Sequence, residues 1–126
     1  MPVVDTSVWI EWLCDTPLGA QFAPHFAAPE RCTVPTIVQL ELAKWVAREV
    51  SEEAADRVIA FTQTCAVVDL DSRLALRAAD LCKSRKLATS DAIVYATALE
   101  RGEDLITCDA HFEGLEGVVL ARKGGA

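Results

Sequence analysis

At 126 residues, half of them hydrophobic and a quarter charged, the chain has the size and balance of one globular domain, which excludes a disordered or low-complexity protein. The net charge of −7 argues against a surface built broadly for phosphate contact, so any nucleic-acid role must rest on a local site. No Lys or Arg precedes Arg31 and no uncharged run approaches the ~20 apolar residues of a membrane span, so neither a secretory leader nor a membrane anchor is expected, and a cytoplasmic protein is.

Pro2-Val3-Val4 predicts a short strand that runs through Asp5 into a helix, with Val8, Trp9, Trp12 and Leu13 on its inner side. Leu18, Phe22 and Phe26 recur at helical spacing, although Pro24 interrupts that pattern. Cys32 to Pro35 predicts a second strand. Ile37 to Val50 predicts a helix, with Thr36 placed to cap it and Ile37, Leu40, Ala43, Lys44 and Ala47 along one side. Ser51-Glu52-Glu53 opens the next helix with a hydroxyl cap and early acids, and Cys65 to Leu70 forms a β-rich run.

Asp71 is expected to cap a helix whose inner stripe is Leu74, Ala75, Ala78, Leu81 and Cys82, leaving Arg73, Arg77, Lys83, Arg85 and Lys86 outside. Asp91 to Leu99, rich in small residues and closed by Gly102, predicts a central helix. Leu105 to Cys108 and Val118 to Ala121 predict the last strands, so residues 1–121 form one domain and 122–126 a flexible tail. Alternating short strands and amphipathic helices imply an α/β fold with a mostly parallel central sheet flanked by helices. In such a sheet the residues that follow successive strands share one edge, which brings Asp5 and Asp109 together.

Four acids hold special positions: Asp5 and Asp109 after strands, Asp91 at a helix start, and Glu41 on an apolar helix face between Ile37 and Trp45. Taken singly, each has a structural reading, as helix cap, turn former or solvated side chain. Taken jointly, they point to a hard divalent cation, Mg²⁺ or Mn²⁺, because clustered carboxylates stay ionised only with a cation, and the set offers oxygen ligands alone. Counting four such acids out of the surface total removes more than half of the net negative charge. The five cysteines are odd in number, scattered and without a C-x-x-C pair, and read as reduced, buried thiols.

Val4-Asp5-Thr6-Ser7 after the opening strand, Gln39-Leu40-Glu41-Leu42 on a helix, Ser90-Asp91-Ala92-Ile93, and Leu105-Ile106-Thr107-Cys108-Asp109-Ala110-His111-Phe112 occur in one order over nearly the whole chain. Together they resemble the PIN domain, and more narrowly the VapC toxins of bacterial toxin–antitoxin pairs. The resemblance implies a PIN-like three-layer domain and a Mg²⁺- or Mn²⁺-dependent endoribonuclease, with Asp5, Glu41, Asp91 and Asp109 as catalytic metal ligands. Thr6, Ser7 and Thr107 match hydroxyl positions that orient those carboxylates in the family. It further implies cleavage to a 5′-phosphate and a 3′-hydroxyl, a VapB-like antitoxin partner and a homodimer.

His111 is read as a surface residue, since four acids already satisfy the metal. Asp69 and Asp71 also follow a strand but lack the motif, and Asp104 precedes its strand and lies at the wrong edge. Trp9, Trp12 and Trp45 are read as core or interface packing. Lys44, Arg48 and the basic face from Arg73 to Lys86 are the candidate RNA contacts, against the reading of a solvated helix face. The rivals are a receiver-like Mg²⁺-binding module, which wants a lysine where Asp109 stands, and a haloacid dehalogenase type phosphatase, which wants an aspartate at Ser7. A housekeeping PIN nuclease without an antitoxin is the third.

Overall fold

Five strands, Val3–Val4 (β1), Thr33–Pro35 (β2), Ala66–Val68 (β3), Leu105–Thr107 (β4) and Val118–Leu120 (β5), make one sheet ordered β3-β2-β1-β4-β5 in the computed structural model, which describes residues 1–122. Every pairing is parallel, with Val3 opposite both Thr33 and Leu105 and Thr33 opposite Ala66. All positions of β1, β2 and β4 are buried, so both faces of the central sheet are covered, as a parallel sheet requires. The chain builds outward from β1 to β2 and β3, then returns to the other side of β1 for β4. The order therefore reverses between β1 and β4, the position where open parallel sheets form their ligand crevice.

Among the described residues seven α-helices flank this sheet: Thr6–Leu13 (α1), Pro17–Gln21 (α2), Ala23–Ala27 (α3), Thr36–Glu49 (α4), Glu52–Thr62 (α5), Ser72–Ser84 (α6) and Thr89–Arg101 (α7). Helix α7 is buried continuously from Ala92 to Ala98, and both polar side chains in that run are satisfied: the Thr97 hydroxyl donates to the Ile93 carbonyl at 2.8 Å and the Tyr95 hydroxyl to the Glu116 carbonyl at 2.7 Å. Gly102 ends α7 in the left-handed conformation at φ 63°, where a residue with a Cβ is strained. Val38, Leu42 and Val46 form the buried edge of α4 at four-residue spacing, and each stabilises the core by about 1.5–3 kcal/mol through removal from water.

The expected helix through Leu18, Phe22 and Phe26 divides at Phe22, because Pro24 supplies no amide hydrogen and starts its own short helix α3. Leu18 and Phe26 are nonetheless buried, and Phe26 stacks on Trp12 with ring centroids 4.1 Å apart. Gly19 is needed here for space: an added Cβ would lie 2.4 Å from the Glu11 carbonyl oxygen. Leu40, which shares one side of α4 with Ile37 and Ala43, is 51 % exposed, since the helix turns the Val38–Leu42–Val46 line inward. Thr36 is the first helical residue rather than the cap, and its hydroxyl accepts from the Leu70 amide at 3.3 Å, tying α4 to the chain after β3. Ser51 and Asp71 do cap, accepting from Ala54 and Leu74 respectively.

The cysteines form no disulfide among the described residues; Cys32 is buried, Cys65, Cys82 and Cys108 are half-buried, and Cys14 is exposed. No described helix is long and apolar enough to cross a membrane. Of the segment read as a tail, Arg122 pairs with Glu113, and residues 123–126 lie outside the described residues.

Candidate metal centre

Asp5 follows β1, and its amide donates to the Ile106 carbonyl of β4 at 2.9 Å, which fixes its backbone at the switch point of the sheet. It occupies the N-cap position of α1, yet its carboxylate makes no capping bond; only its carbonyl accepts the helix amides of Val8 and Trp9. The carboxylate instead accepts two hydroxyls on one oxygen, Oδ2: Ser7 at 2.8 Å and Thr107 at 2.9 Å. Both hydroxyls in turn accept backbone amides of the segment after β4, Ser7 from Cys108 at 3.2 Å and Thr107 from Asp109 at 3.0 Å. One compact network thus links the end of β1 to the end of β4.

Glu41 reaches the same side from α4, where the Thr6 hydroxyl donates to its Oε1 at 2.7 Å. Asp91 sits in the first turn of α7, third in the helix after an Ala88 N-cap, so it is not the cap. Asp109 starts a 3₁₀ turn at Ala110–Phe112, and its Oδ1 accepts the His111 amide at 2.9 Å. The imidazole of His111 lies beside these two acids, with Nδ1 3.0 Å from Asp109 Oδ1 and 3.8 Å from Asp91 Oδ2. Among the described residues, Asp91, Asp109 and His111 form the tight group, with ligand atoms all within 4.8 Å of one another. Asp5 and Glu41 face that group at longer range.

The electrostatics show how poorly this arrangement tolerates its own charge. Burial, then repulsion from Asp109, Asp5 and Glu41, pushes the Asp91 carboxyl up to about 6, against the opposing effect of His111. Burial also raises Asp5, although its hydroxyl donors pull in the other direction, and the Asp109 charge adds to the rise. Glu41 is raised by burial first and by Asp5 next, with the Thr6 hydroxyl and Lys44 opposing. Three carboxyls held above their ordinary range by desolvation and mutual repulsion form a donor set that fits a hard divalent cation, which relieves both effects at once.

The decoys separate cleanly. Asp71 is a helix cap, Asp69 is exposed beyond β3, two strands away from β1, and Asp104 lies at the opposite, amino edge, where its carbonyl accepts the Val3 amide. Of the basic candidates, Arg73 and Arg77 are both paired with Glu100. Lys44 and Arg48, the latter paired with Glu49 at 3.1 Å, line a groove of about 220 Å³ with Thr6, Ile10, Glu41 and Trp45, directly beside Glu41. What sequence reasoning missed is the position of His111; the available signal was its spacing two residues after Asp109, which a 3₁₀ turn folds back onto that carboxylate.

Fold and site together define a parallel α/β domain with a cluster of carboxylates at the carboxyl edge of its sheet. The sequence matches the PIN domain family over residues 3–118, and the chain belongs to that family. Its backbone is similar to the solved toxin–antitoxin complex from Klebsiella pneumoniae, at 24 % identity and a TM-score of 0.80 over 94 % of this chain and 96 % of that one. It is also similar to the VapC20 toxin of Mycobacterium tuberculosis, described as cleaving the sarcin–ricin loop, at 18 % identity and a TM-score of 0.77 over 96 % of this chain and 99 % of that one. A third neighbour is the DNA-bound VapBC of Salmonella typhimurium, at 18 % identity and a TM-score of 0.70 over 96 % of both chains. No curated protein matches the sequence.

Proposed function

We propose that the chain is a divalent-metal-dependent endoribonuclease acting as the toxin of a toxin–antitoxin pair. The observation that carries this reading is the gathering of Asp5, Glu41, Asp91 and Asp109 at the switch point of the sheet, where burial and mutual repulsion raise the carboxyls of Asp5, Glu41 and Asp91. In this reading those four acids hold Mg²⁺ or Mn²⁺. A cation held there supplies an acidified water as nucleophile and offsets the charge that develops on the scissile phosphate. Ser7 and Thr107 keep Asp5 aimed, and Thr6 keeps Glu41 aimed, each through a hydroxyl donated to a carboxylate oxygen. Because the Ser7 and Thr107 hydroxyls are committed to Asp5, neither is placed as a covalent nucleophile. Lys44 and Arg48 give an otherwise acidic chain local positive charge beside the site for an RNA backbone.

The solved toxin–antitoxin complexes among its structural neighbours favour the toxin over a housekeeping nuclease, with a VapB-like antitoxin as partner, and the homodimer remains what the family resemblance implies. An apolar groove of about 440 Å³ between α1, α4 and α5, lined by Trp12, Trp45, Val46, Val50 and Phe61, supports a protein partner of that kind. The test is cleavage of RNA by the purified chain with Mg²⁺, with Mn²⁺ and with a chelator. Activity is expected with either metal, none with chelator, and none for Asp5→Asn or Asp91→Asn with the fold intact by circular dichroism. Undiminished cleavage by those variants would end the proposal. A short upstream reading frame whose product co-purifies with the chain and silences it tests the pairing.

A further inference from the structure

We propose that His111 is a nitrogen ligand of the cation held by Asp91 and Asp109, and that it biases the site from Mg²⁺ toward Mn²⁺. The inference rests on the metal-site reading above. Nδ1 lies 3.0 Å from Asp109 Oδ1 and 3.8 Å from Asp91 Oδ2. Two adjacent ligands of an octahedral cation with bonds of about 2.0–2.1 Å stand about 3 Å apart, and two opposite ones about 4 Å apart, so the two distances from Nδ1 match ligands on one small cation, and the ligand atoms of the three residues all lie within 4.8 Å of one another. His111 is brought there by its backbone and not by chance rotation of a long side chain: its amide donates to the very oxygen, Asp109 Oδ1, that its ring approaches. The turn that follows is anchored by Phe112, which is fully buried. The ring itself is 78 % exposed, so no packing or core hydrogen bond accounts for its place beside the acids.

The chemical consequence is a change of donor set. Carboxylates alone suit Mg²⁺, whereas an imidazole nitrogen adds little for Mg²⁺ and more for Mn²⁺ and the later divalent ions, because nitrogen affinity rises along that series. To serve as ligand, Nδ1 must present its lone pair, and the ring then carries its proton on Nε2. Nδ1 lies 3.0 Å from Asp109 Oδ1, so a cation held by Asp109 would be met by the ring without a large movement.

The full-length chain is titrated with Mn²⁺, followed by the resonance of free Mn²⁺, and with Mg²⁺, followed by calorimetry, for wild type, His111→Ala, His111→Gln and Asp91→Asn. His111→Ala is expected to weaken Mn²⁺ binding about tenfold and to leave Mg²⁺ binding within about threefold, in the range seen when a group at a metal centre is removed. Bound Mn²⁺ in the wild type is expected to show electron spin echo modulation from a coordinated nitrogen, lost in both His111 variants. Absence of that modulation in the wild type, or Mn²⁺ binding by His111→Ala at least as tight as wild type, overturns the proposal while leaving the acidic site standing. Unchanged metal binding by Asp91→Asn overturns the underlying reading instead.

Discussion

Thr107 donates its hydroxyl to Asp5 Oδ2 at 2.9 Å while its oxygen accepts the Asp109 amide at 3.0 Å, so one buried side chain orients one acid and positions the backbone of another. Replacing it with valine keeps the volume and removes both bonds. Thr107→Val is expected to leave the Asp109 amide unpaired at a cost of about 1–3 kcal/mol, read by denaturant unfolding. The loss of an orienting donor is also expected to weaken Mg²⁺ binding about 10- to 100-fold by calorimetry, with RNA cleavage falling in step.

The Asp91 carboxyl is held near 6 in the folded chain against an ordinary value of 3.8, and Asp5 and Glu41 are shifted in the same direction. A raised acid binds more protons folded than unfolded, so the stability it contributes is complete below its unfolded value and is lost as pH rises through its folded one. The metal-free protein is therefore expected to melt at a lower temperature at about pH 7.5 than at about pH 5, against the usual trend for paired carboxylates. Millimolar Mg²⁺ should raise the melting temperature more at the higher pH. An equal effect of Mg²⁺ at both values would count against the acids as its ligands.

Glu41 shows a conflict between stability and activity. It is a half-buried carboxylate on α4 whose one hydroxyl donor, Thr6, does not offset its desolvation. Glu41→Gln keeps the shape and removes the charge, so the metal-free variant should melt no lower than wild type at neutral pH, and higher if repulsion from Asp5 dominates. Its RNA cleavage should fall by at least tenfold. Thermal shift and a cleavage assay on the same preparation check both halves.

Gly19→Ala tests a packing site remote from the chemistry. The added Cβ would meet the Glu11 carbonyl oxygen at 2.4 Å and Trp12 Cα at 2.6 Å, backbone atoms that cannot rotate away. Forcing α2 off α1 is expected to cost about 1–3 kcal/mol, with the cleavage rate per folded molecule unchanged.

Lys44 and Arg48 are the basic side chains lining the groove beside Glu41, Arg48 also pairing with Glu49, and Arg73 and Arg77 are engaged with Glu100. Reversing the pair, Lys44→Glu with Arg48→Glu, should weaken RNA binding and flatten its salt dependence by a slope of about 2. Arg73→Ala should change neither. A filter-binding series across ionic strength separates the two outcomes.

The sequence by itself determined the alternation of strands and helices, and with it the parallel sheet, because short continuous apolar runs such as Leu105-Ile106 and one-sided helices such as Ser72–Ser84 can bury their faces in few other ways. It also marked Asp5 and Asp109, since a carboxylate directly after a buried parallel strand must emerge at the ligand-binding edge. Cap chemistry at Ser51 and Asp71 and the stop at Gly102 were equally local and equally legible. Three things were decided only in the tertiary structure. The rotation of α4, which exposes Leu40 and turns Glu41 to Thr6, depends on what the helix packs against and not on its own period. Whether Asp5 spends its carboxylate on α1 or on Ser7 and Thr107 depends on a partner 102 residues away. The approach of His111 to Asp91 depends on a 3₁₀ turn meeting the first turn of α7, a contact between elements that no spacing along the chain encodes.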